Sequence, residues 1–145
     1  MPATQEPASS ATIPLLHRML MIGLVATDAM MLWLRYRGFE IEGWSPDRKE
    51  TLTYVLAACS LIPAAVALVI FKPRVPIRRP DQSSSQYWSM PEVATNVLAI
   101  WFLTEGGGVV AAVGYLLTGS QISVISMGLT VALYWVYGPG RFADG

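Results

Sequence analysis

The sequence predicts an all-α integral membrane bundle of four transmembrane helices, the third and fourth closed into a tight antiparallel hairpin. Three observations carry this expectation. Of 145 residues, 53% are hydrophobic and only 14% charged, against about a quarter charged in soluble domains, and the mean hydropathy is positive. The apolar residues gather in four blocks, Leu15 to Leu34, Leu52 to Phe71, Val93 to Leu117 and Ile122 to Tyr137, near the roughly 20 helical residues that a bilayer core takes. Only Thr118, Gly119, Ser120 and Gln121 separate the last two blocks, and so short a connection makes the joined helices antiparallel neighbours.

Taken in order, residues 1–14 read as a disordered tail, polar and rich in Pro, Ser and Ala, with Glu6 and no Lys or Arg. A signal peptide begins with positive charge, so the first block is expected to stay in the mature protein. A mixed-charge loop, Arg35 to Thr51, leads to the second block. There Pro63 removes the N–H that the Cys59 carbonyl would accept, so a bend is expected, with Ser60 at hand for the freed backbone. In the next loop, KPRVPIRRP, Pro73, Pro76 and Pro80 enforce an extended chain. Its cations Lys72, Arg74, Arg78 and Arg79 suit anionic lipid headgroups. The third block is the longest and the fourth the shortest, so the membrane domain runs from 15 to 137 and residues 138–145 form a C-terminal tail.

Four spans place both termini on the side of the second loop. Basic residues then number six there (Arg18, Lys72, Arg74, Arg78, Arg79, Arg141) against four opposite (Arg35, Arg37, Arg48, Lys49), which points to cytoplasmic termini in a cell inner membrane. Trp and Tyr prefer the headgroup level. Trp33, Tyr36, Trp44 and Tyr54 are expected at the outer interface, and Tyr87, Trp88, Tyr134, Trp135 and Tyr137 at the inner one.

Glu105 is the residue most suggestive of function. It lies twelve residues into the third block, which contains no Lys or Arg, and about 18 Å along the helix axis is close to mid-membrane. An ionisable group at that depth is costly and is a site hypothesis by default, and with no cation beside it the neutral acid is favoured. Helical spacing puts Trp101, Gly108 and Ala112 on its face and Gly107, Ala111 and Gly114 on the neighbouring stripe. Small residues four apart let a second backbone approach closely. Ser123 and Ser126 in the fourth block are the expected hydrogen-bond partners. Two roles stand for Glu105: an interhelical hydrogen bond that only packs, or reversible proton or cation binding.

Asp28 is the second intramembrane acid and ion-binding candidate. His17, Met21, Asp28 and Arg35 share one helical face, and Arg35 is expected to lean back toward Asp28 and screen it. His17, the only histidine, sits at the start of the first block beside Arg18 and is expected to face water. A lone membrane histidine can ligate a haem or a pigment metal, which makes His17 the candidate ligand, but no cofactor is expected.

No catalytic constellation appears, so the chain is not expected to be an enzyme. A single histidine and a single cysteine, Cys59, leave no metal cluster and no intrachain disulfide. The glycines at 106 to 108 fall inside an apolar block, away from any strand-to-helix turn that could cradle phosphate. Zero formal net charge argues against nucleic acid.

The stretch Leu103 to Gly119, LTEGGGVVAAVGYLLTG, resembles the ion-carrying helix of rotary ATP synthase c-type proteolipids. It is similar also to small four-span bacterial membrane proteins of uncharacterised function that share the pattern. The resemblance implies that Glu105 takes the place of the ion-binding carboxylate and Tyr115 to Gly119 the place of the helix exit. The expected function is a non-enzymatic multi-pass membrane protein with a buried protonatable carboxylate, binding a proton or cation in a proteolipid-like way. The alternative is a small accessory subunit of a larger respiratory or photosynthetic membrane complex, in contact with pigment or lipid. The expected partners are the bilayer and either further copies of the chain or a larger membrane complex.

The orientation is testable by cysteine accessibility in a Cys59→Ser background. A cysteine at position 84 should react from the cytoplasmic side and one at position 45 from outside. The reverse pattern would overturn the six-to-four reading.

Overall fold

The computed structural model describes residues 12–143. Most of the expected disordered tail, residues 1–11, lies outside the described residues, whereas 12 to 14 already belong to the first helix. Every regular element among the described residues is helical. Helix α1 spans Thr12–Tyr36, and α2 spans Pro46–Val66 and runs on through a π turn, Ala67–Phe71, and a 3-10 turn, Lys72–Arg74. The short α3, Ser84–Trp88, precedes α4, Pro91–Thr118, which is followed by α5, Gln121–Val136, and α6, Pro139–Ala143.

Three helical stretches are long and apolar enough to cross a membrane: Thr12–Tyr36, Pro46–Arg74 and Pro91–Thr118. The fourth expected span forms an apolar helix of only 16 residues, about 24 Å long at the helical rise and short of a hydrocarbon core of about 30 Å.

Local chemistry, more than hydropathy, sets the helix ends. The second helix begins six residues before the apolar block does, because Ser45 accepts from the Arg48 N–H at 3.4 Å and Pro46 and Asp47 fill the first turn. Helix α1 stops at a left-handed Gly38, where the Gly38 N–H donates to the Arg35 carbonyl and the Phe39 N–H to that of Leu34. Helix α4 stops in the same way at Gly119 (φ 68°), whose N–H reaches the Tyr115 carbonyl at 2.8 Å, and Ser120 then caps α5 through the Ile122 N–H. Within the second loop Ser83 and Gln86 form a reciprocal capping box that starts α3. The expected C-terminal tail is helical over Pro139–Ala143 and packs Phe142 inward.

Helix α4 is the central element, touching α1, α2 and α5. It meets α2 through its glycines: a side chain at Gly107 would run into the Ser60 carbonyl, and one at Gly114 would lie 3.3 Å from Leu56. It meets α1 and α5 through Gly108, beside Leu24 and Thr130, and meets α5 again where Gly114 faces Ser123. The pairs 101 with 17 and 108 with 24 show that α4 and α1 run parallel.

Side chains are packed most heavily at the end that carries the second loop. There Tyr87, Trp88, Val93, Val97, Ile100, Trp101, Tyr134 and Phe142 form one cluster. Tyr87, Trp88 and Tyr134 are therefore interior residues and not a headgroup belt, while Trp33, Tyr36, Tyr54 and Trp135 are exposed. Burial pushes the Tyr87 phenol above its ordinary pKa, which keeps it a donor to the Pro76 carbonyl at 2.9 Å and ties the extended loop to the bundle. The loop cations are partly spent inside the chain: Arg78 donates to the carbonyls of Gln82 and Ala143, and Lys72 lies over the Tyr137 ring. Ser60 Oγ donates to the Ala57 carbonyl, so it does not serve the Cys59 carbonyl that Pro63 leaves free.

Adjacent glycines give a sharp test of the α2–α4 contact. Gly107→Ala places a methyl against backbone that cannot swing aside, and overpacking of this kind costs about 1 to 3 kcal/mol. Gly106→Ala meets no heavy atom within 4 Å and gains helix propensity. Thermal midpoints in mild detergent should fall for the first variant and hold or rise for the second. Equal midpoints would refute the close approach.

Candidate functional site

Glu105 stands at the midpoint of α4, fourteen residues from Pro91 and thirteen from Thr118. Its half-buried carboxyl faces α1 at a place without a side chain: a Cβ on Gly23 would lie 3.9 Å from Glu105 Oε1. The Gly23 carbonyl already accepts from Thr27 Oγ1 at 2.9 Å. One turn away, Trp101 lies beside Tyr134 of α5, with ring centroids 6.5 Å apart. The Tyr134 hydroxyl is fully buried and has no hydrogen-bond partner among the described residues.

The expected partners Ser123 and Ser126 do not serve Glu105. Ser126 Oγ donates to the Ile122 carbonyl one turn back, and Ser123 lies at the level of Gly114. Gly108 lies by Thr130 and Gly114 by Ser123, so residues near the start of α5 face the end of α4. The residue at the height of Glu105 comes from the last turns of α5.

One turn from Glu105, Trp101 belongs to an aromatic group with His17 and Tyr134. The His17 ring stacks on Tyr134 at 4.6 Å and meets Trp101 at 4.6 Å. His17 is only 6% exposed, so it does not face water. Its Nε2 pairs with the Tyr134 carbonyl at 3.2 Å, and Trp101 Nε1 donates to the Tyr137 carbonyl at 2.8 Å. The last carbonyls of a helix have no partners within it, and two side chains from α1 and α4 supply them for α5. Ligation of a haem or pigment metal through Nε2 would break one of these caps.

Asp28 is buried at 9% exposure, and its Oδ1 has no hydrogen-bond partner among the described residues. Arg35 does not screen it. That guanidinium pairs with Glu40 at 3.0 Å, donates to the Phe39 carbonyl at 3.0 Å and packs over Gly119. The chain reversal at Gly38 brings Glu40 to Arg35 in an exposed position, where an ion pair forms without desolvating both groups.

The packing residues Gly107, Gly108, Ala111, Ala112 and Gly114 are all buried. Among the described residues no three His, Cys, Asp or Glu side chains gather as a metal site. No protein-family model, curated protein or solved structure matches the chain.

The caps on α5 can be tested without losing ring packing. His17→Phe keeps the stack but leaves the Tyr134 carbonyl buried and unpaired, and Trp101→Phe leaves the half-buried Tyr137 carbonyl unpaired. Each should cost about 1 to 3 kcal/mol, read as a lower unfolding midpoint in detergent. Unchanged midpoints would mean that the carbonyls find other partners.

Proposed function

We propose that the chain is a non-enzymatic, multi-pass membrane protein whose interior carboxyl, Glu105, binds and releases a proton in a proteolipid-like way. In this reading α1, α2, α4 and α5 are four spans, α4 and α5 form an antiparallel hairpin, and both termini lie in the cytoplasm of an inner-membrane protein. The shortness of α5 is then made up by the turn at Gly138 and by α6.

The observation that carries the reading is the setting of Glu105. A carboxyl at the middle of the most buried helix faces a glycine on α1, one turn from the level of a buried, unsatisfied phenol on α5, with no salt-bridge partner among the described residues. A carboxyl held only to cross-link helices would have a committed partner, whereas this one faces the bare backbone at Gly23. A lone carboxyl suits a proton better than a hard metal cation, which takes six or more oxygen ligands. The resemblance of Leu103 to Gly119 to the ion-carrying proteolipid helix agrees with this choice.

At neutral pH a hydrophobic carbodiimide should modify Glu105, and Glu105→Gln should abolish the modification. Labelling confined to the loop acids Glu40, Glu42 and Glu50 would refute a protonated interior carboxyl.

A further inference from the structure

Helices α1 and α5 touch sparsely and leave between them a groove of about 360 Å³. Its walls are apolar: Val25 and Leu32 from α1, and Val124, Met127 and Val131 from α5. Gly128 leaves it open, since a Cβ there would meet no heavy atom within 4 Å. The one charged group lining it is Asp28, more than nine-tenths buried, with Oδ1 shielded and without a hydrogen-bond partner among the described residues. None of these residues belongs to the Glu105 cluster.

A buried carboxyl with no partner is costly in an apolar setting, and such a group calls for an explanation. The cation nearest in the helical pattern, Arg35, is committed to Glu40. A lipid acyl chain would cover the walls but leave the carboxyl unpaired. A metal ion would find one carboxyl and no further oxygen side chains among the lining residues. A protonated amine on an apolar body meets both demands, because its N–H groups donate to the carboxylate while its hydrocarbon covers the walls. The volume is in the range of small-molecule sites, about 300 to 1,000 Å³.

We propose that the α1/α5 groove is a binding site for a small amphiphilic organic cation, with Asp28 receiving its protonated amine. The site faces the hydrocarbon side of the bundle, so the ligand would reach it from the membrane. The proposal depends on α1 lying in a membrane and is independent of the role of Glu105.

The test uses the full chain in nanodiscs of zwitterionic lipid and a C12 alkylamine carrying a diazirine, with the corresponding C12 alcohol as the neutral control. After irradiation, peptide mapping should place the amine's label on α1 and α5 around residues 25–32 and 124–131, competed by unlabelled amine. Asp28→Asn should reduce this labelling roughly tenfold or more, the loss expected when a charge-assisted pair is removed, while Glu105→Gln should leave it unchanged. Gly128→Leu fills the groove without touching the acid and should abolish the label, which keeps the proposal testable if Asp28→Asn fails to fold. Equal labelling by amine and alcohol, or labelling indifferent to both groove variants, would overturn it. So would a native-mass dimer in which neither probe labels the groove, since a second copy would then be the occupant.

Discussion

The approach of the α4 backbone to α2 at Gly107 is the constraint on which the rest of the structure depends. No side chain fits between Gly107 and the Ser60 carbonyl, so the two helices are held backbone to backbone. Within hydrocarbon, helices gain little from hydrophobic burial, and association rests on close packing and interhelical polar contacts. Glycine at 107 and 114, two turns apart, supplies that packing toward α2, and Gly108 supplies it toward α1 and α5. The helix that carries Glu105 is central because its surface is bare enough for three neighbours to reach it.

The two ends of the bundle are secured differently. At the second-loop end, large side chains fill the space, and the loop folds over them through Tyr87 and Arg78. At the other end Arg35 lies across Gly119 and joins the end of α1 to the α4–α5 link. A side chain at 119 would displace the guanidinium, so this glycine serves both the left-handed turn and the close contact. The caps that His17 and Trp101 place on α5 link α1, α4 and α5 at a single level, one turn from Glu105.

The two acids within the long apolar helices differ in what surrounds them. Glu105 is turned toward a glycine of α1, whereas Asp28 lines an open apolar groove on the outside. Neither is paired with a basic side chain among the described residues, for the cations lie in loops and at helix ends. An acid in hydrocarbon without a countercharge is retained at a cost, and each therefore invites a separate chemical role.

The sequence by itself determined the helical class and the presence of three long apolar helices, because these follow from composition and apolar run length. The helix ends were missed, since hydropathy does not register caps such as Ser45 with Pro46 or Ser83 with Gln86, which act on backbone groups within a few residues. The sequence also marked Glu105 as a lone acid at mid-helix, since depth along a helix is a matter of counting. What tertiary structure decided was the partner of each group. Period 3.6 puts His17, Asp28 and Arg35 on one face but leaves open whether that face meets water, lipid or protein. His17 turned inward because the end of α5 presented bare carbonyls, and Arg35 turned away from Asp28 because the reversal at Gly38 brought Glu40 within reach. Tyr134, in place of Ser123 or Ser126, came to the first half of α4, beside Trp101, because Gly108 meets Thr130 and Gly114 meets Ser123, which leaves the last turns of α5 there. Such pairings depend on contacts far apart in the chain, and no local pattern encodes them.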